Sequence, residues 1–171
     1  MRGVIAALVA IAISFAISVP AAAKTSGKQT FNGVIAVSGA SGTREVVNSI
    51  VIAKGVLRGI GRVVEIPDLP GDPPNVLRDH LVFAPGSIEI RSVAGDPSFS
   101  LNPLSCIYSA SVQGTGTIVG GTKLFAAAAG TYTSTVMAWG LARRDLNGEC
   151  TLERQPLYEV DKFAISGSLS F

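Results

Sequence analysis

The chain has 171 residues, with 14 Lys+Arg against 12 Asp+Glu and a formal charge of +2. So even a balance creates no field that gathers nucleic acid or anionic lipid, and the densest basic spot, Arg143-Arg144, is followed at once by Asp145. A single histidine leaves no paired second ligand, so the expectation is no metal and no cofactor.

Residues 1–23 read as a secretory signal peptide. Arg2 precedes an apolar run from Val4 to Val19, and Pro20 leads into the small-residue site Ala21-Ala22-Ala23. The run is shorter than the ~20 residues a membrane-spanning helix needs, so membrane anchoring is disfavoured. Removing the leader takes only Arg2 from the charge count, leaving 13 Lys+Arg against 12 Asp+Glu. Residues 24–171 then form one domain, long enough to bury a core of its own. The expected location is secreted, or periplasmic within the cell envelope.

Past the leader, short β-branched runs punctuated by glycine replace any sustained helical period, the pattern of an all-β chain. The first three strands are expected at Phe31–Val37, Val46–Lys54 and Val56–Ile66. Four prolines between Pro67 and Pro74 remove ladder donors and demand a surface loop. Asp68 and Asp72 in it fall short of the six or more oxygens of a calcium site and read as solvated acids.

Strand character resumes at Leu77–Phe83 and, across the Pro85-Gly86 turn, at Ser87–Val93. Alternation puts Arg78 and His80 on one face and Asp79 on the other, so Asp79 is badly placed to orient His80 for catalysis. Gly95-Asp96-Pro97 opens a loop, and Cys106–Thr115, Thr131–Arg143 and Leu157–Phe171 complete eight strands. Between the last two, Asn147-Gly148 marks a hairpin tip flanked by Arg143, Arg144, Asp145, Glu149, Glu153 and Arg154, charges read as solubility.

Thr122–Ala129 is rich in helix formers and stops at Gly130, giving one short helical turn. Val119, Gly120, Gly121, Thr122, Phe125, Ala128 and Gly130 there resemble the V-G-G-T-G-x-F-x-x-A-x-G stretch of dirigent proteins and allene oxide cyclases, with Lys123 where the family has glycine. The resemblance implies an eight-stranded antiparallel closed barrel, calycin-like in outline, with Phe125 plugging one end. The strand count agrees, since eight is the size at which a barrel is filled by side chains or holds one small ligand. The family's polar pocket residues have no counterpart motif here, so no catalytic residue carries over.

Two cysteines, Cys106 and Cys150, in an exported chain read as one disulfide closing a loop of about 45 residues. Phe83, Tyr108, Phe125, Tyr132 and Trp139, with Phe163, are the aromatic residues that either line a ligand cavity or pack the core. The leading functional expectation is a non-enzymatic barrel that binds a small apolar ligand or serves as an interaction module. An isomerase or stereo-directing protein of the resembled type is the first alternative. A small outer-membrane barrel is the second, because the last strand alternates up to a terminal Phe171.

Overall fold

A computed structural model describes residues 24–67 and 69–171; the expected leader and Asp68 lie outside the described residues. Eleven strands run in chain order: β1 Ser26–Ser38, β2 Glu45–Gly55, β3 Gly59–Glu65, β4 Val76–Phe83, β5 Gly86–Ala94, β6 Ser98–Leu101, β7 Ile107–Gly121, β8 Gly130–Leu141, β9 Arg143–Arg144, β10 Cys150–Thr151 and β11 Tyr158–Ser170. Eight of them close an antiparallel barrel in the order β5-β4-β3-β2-β1-β11-β8-β7, sealed by pairing of β5 with β7 from Ile88↔Gly121 to Ala94↔Gly114. The all-β, eight-stranded closed barrel expected from the sequence is the architecture found.

The eight expected strands are the eight barrel staves, with differences at their ends that have physical causes. β7 runs six residues beyond Thr115, through glycines that sequence alone reads as a stop. Gly116 is instead a close approach: a Cβ there would lie 2.2 Å from Cζ of Tyr132, so the missing side chain is the space the ring fills. β3 starts at Gly59 rather than Val56. The buried Gln29 side chain takes over the backbone groups of the preceding turn, accepting from the Leu57 N–H at 2.9 Å and donating to the Leu57 and Lys54 carbonyls at 3.2 Å. β6 lies in a stretch read as loop; it extends the seam past β5 by pairing Ser98–Leu101 with Tyr108–Ser111.

The helical expectation at Thr122–Ala129 shrinks to a 3-10 turn at Lys123–Phe125. Two turns cannot repay helix nucleation, and tertiary contacts compete for the same backbone. Phe125 is fully buried, edge-on to Phe171 at 5.0 Å, and Ala129 bridges to Ser170. This end of the barrel is packed solid around Phe31, Ile88, Phe125 and Leu169.

A second, smaller cluster joins Cys106, Tyr108 and Ala142. The Cys106–Cys150 disulfide forms, with the two Cα atoms 5.3 Å apart, tying the start of β7 to the β9–β10 hairpin. The expected turn at Asn147-Gly148 is present, but its charges do more than keep the tip soluble. Arg143 donates to the carbonyls of Gln155, Gly39 and Ala40, and Arg144 to those of Gly148 and Leu104, fastening the hairpin to the barrel.

Candidate functional site

At the end opposite the 3-10 turn, side chains stop short of filling the barrel and leave a cavity of about 370 Å³. That lies at the lower end of the ~300–1,000 Å³ range of small-molecule sites. Alternation explains its lining. Inward positions of β3, β4, β5, β8 and β11 supply a floor of Val63, Leu81, Ile90, Val136, Phe163 and Ile165. One step further along the same strands the inward position becomes acidic: Glu65 beyond Val63, Asp79 before Leu81, Asp161 before Phe163.

Arg44, from the loop between β1 and β2, reaches into this ring. Its guanidinium pairs with Glu65, with Asp161 at 3.2 Å and with Glu159 at 3.7 Å. Burial works against the Arg44 charge, but the Glu65 hydrogen bond and the neighbouring carboxylates outweigh it and hold its pKa above the ordinary value. Glu159 also accepts from the Tyr108 hydroxyl, and burial together with that bond pushes the phenol pKa up. Asp161 is 9% exposed; burial and the Glu159 charge push it up to about 7 against the opposing pull of Arg44. Among the described residues Asp79 has no side-chain hydrogen bond and no ion pair within 4 Å, and burial with the Glu65 charge pushes it up to about 6 against the weaker pull of Arg44.

The aromatic residues singled out in the sequence do not converge on this cavity. Phe83 is core, tilted against Phe31 at a centroid distance of 6.2 Å. Phe125 fills the opposite end, and Tyr108 belongs to the small cluster beside the disulfide. Tyr132 comes nearest: its hydroxyl meets Ser92, a cavity-wall residue, at 2.7 Å, and burial pushes its pKa up to about 12. Trp139 occupies an outward position on β8 and is 41% exposed, since even positions of that strand point in. Of the wider set, only Phe163 lines the cavity.

His80 sits on the outer face, as alternation required, with Glu89 at 3.7 Å as its partner. Asp72 is not the solvated acid expected. It pairs with Arg78 at 2.8 Å and accepts from the Leu69 N–H, and the Arg78 hydrogen bond lowers its pKa. What sequence reasoning missed is the acidic ring itself. The signal was available in phase: Asp161 alternates with Phe163 and Ile165, and Asp79 with Leu81 and Phe83, so both carboxylates share the core's face. Comparison with family models, with curated proteins and with solved structures finds no match.

Proposed function

We propose that this barrel binds a small, mostly apolar molecule in the cavity between β3, β4, β5, β8 and β11. The observation that carries this reading is the asymmetry of the interior: one end is packed solid, the other holds about 370 Å³ above an apolar floor. A closed barrel has no need of such a void for stability, because empty apolar space forfeits packing. Arg44, 31% exposed in its side chain, and Leu77, 52% exposed, border the cavity where it meets solvent.

The test is titration of the purified protein with a neutral environment-sensitive dye, N-phenyl-1-naphthylamine. The double variant Val112→Phe/Val136→Phe fills the space from two paired positions of β7 and β8. Saturable dye binding that this variant abolishes supports the reading; equal binding by both proteins, or none by either, overturns it.

A second reading, a cofactor-free isomerase of the allene oxide cyclase type, draws on one observation. Asp79 and Asp161 stand beside the apolar floor as carboxyls titrating near neutrality, the range of a useful general acid. Conversion of an unsaturated epoxide into one enantiomer of a cyclic product, lost in Asp79→Asn or Asp161→Asn, supports it; racemic product at the uncatalysed rate removes it. The outer-membrane alternative is opposed by the facing of the side chains. Outward positions of β4 and β5 carry Arg78, His80, Glu89 and Arg91 where a lipid-facing barrel needs an apolar band, although Val34, Ile50, Ile52 and Ile60 are exposed on β1, β2 and β3. The Cys106–Cys150 bridge is compatible with a secreted or periplasmic setting.

A further inference from the structure

Which small molecule suits the cavity is written in its charges. Its rim gathers Glu65 on β3, Asp79 on β4 and Asp161 on β11, with Glu159 next to Asp161, around the single guanidinium of Arg44. Arg78 also borders the cavity, but its guanidinium is held by Asp72 at 2.8 Å and Glu89 at 3.5 Å. Arg44 is already shared among Glu65, Asp161 and Glu159, and Glu159 accepts from Tyr108 as well. Among the described residues of this rim, Asp79 has no hydrogen-bonding or close ion-pair partner and feels Arg44 only at longer range, although it borders the cavity in phase with Leu81 and Phe83. A carboxylate left unpaired in a partly desolvated wall is costly, and the cost is recovered when a ligand brings the counter-charge.

We infer that the ligand of this cavity is an apolar amine or other organic monocation, its hydrocarbon part on the Val63–Leu81–Phe163 floor and its charged group at Asp79 and Asp161. The inference rests on the reading of the cavity as a ligand site. An anionic ligand would place its charge among carboxylates where the two bordering cations of the described residues, Arg44 and Arg78, are already engaged. A neutral one would leave Asp79 unpartnered. Protonation adds a signature. The groups facing Asp79 and Asp161 are Arg44, Glu65, Glu159, Tyr108 and Tyr132, with His80 turned to the outer face of β4. Below pH 6 the two aspartates are protonated and a cation gains little; as pH rises through their values, about 6 for Asp79 and about 7 for Asp161, they ionise and the cation binds more tightly.

The experiment is competition of three matched probes, octylamine, 1-octanol and octanoate, against the bound neutral dye at pH 8 and pH 5. Octylamine is expected to displace the dye at a concentration at least ~10-fold below 1-octanol at pH 8, octanoate to be weakest, and the amine's advantage to shrink several-fold at pH 5. The octylamine-to-octanol ratio should fall several-fold in Asp79→Asn and again in Asp161→Asn, a ratio that normalises for any general loss of binding. Equal potency of amine and alcohol, or an advantage for octanoate, overturns the charge inference while dye binding stands. Failure of every probe and of the dye removes the cavity reading itself.

Discussion

Asp79 shows how a residue at an inward strand position trades stability for chemistry. Its carboxyl titrates at about 6 in the fold against 3.8 when exposed, so between these values the folded state holds the extra proton. Stability from this group is therefore greatest below pH 4 and declines as pH rises through 4 to 6, the opposite of an ion-paired carboxylate. Asp79→Asn is expected to raise stability at pH 8 by roughly 3 kcal/mol, with little change at pH 4; urea denaturation at both pH values checks it. Lys123 trades in a different currency. Its φ of 53° puts a non-glycine residue in the left-handed region at the 3-10 turn, where its side chain is exposed. Lys123→Gly should leave stability unchanged or raise it by up to ~1 kcal/mol, while a β-branched Lys123→Val should cost ~1–2 kcal/mol by the same measurement.

Among the elements, the β9–β10 hairpin has a ladder of two residue pairs, which join only its own two strands, and the disulfide ties it to the start of β7. It closes 44 residues of separation, for which loop-closure entropy gives about 4 kcal/mol. Cys106→Ala/Cys150→Ala is thus expected to lower the Tm by roughly 10 °C by calorimetry, with near-wild-type far-ultraviolet dichroism, because the eight barrel staves pair without it. A loss below 2 °C would mean that the Arg143 and Arg144 contacts alone hold the hairpin. Gln29 is a comparable device inside the barrel, replacing ladder bonds where β2 turns into β3.

For the whole molecule, the two ends of one barrel should respond differently to the same change. Val51 is fully buried in the packed core, so Val51→Phe is expected to cost ~1–3 kcal/mol through overpacking. Val136 borders the cavity, so Val136→Phe should cost less than ~1 kcal/mol because the space for the ring already exists. Equal losses in denaturation midpoints would show that the upper interior is as tightly packed as the lower.

Alternation, glycine and proline placement and two cysteines were enough to read the strands and the disulfide, because each is a local or counting property of the chain. The closed barrel was expected from the resemblance of the Val119–Gly130 stretch, with the strand count agreeing. Strand ends were less legible: β7 continues through Gly116 because a tyrosine ring from β8 occupies that space, a contact invisible along β7 itself. The functional residues were least legible. Arg44, Glu65, Asp79, Glu159 and Asp161 come from four separate places in the chain, and nothing in their spacing marks them as one ring. Sequence alone determines which face of a strand each side chain takes. Only closure of the barrel brings those inward carboxylates together above an unfilled floor, since their distances depend on the register of β3, β4 and β11 around the circumference.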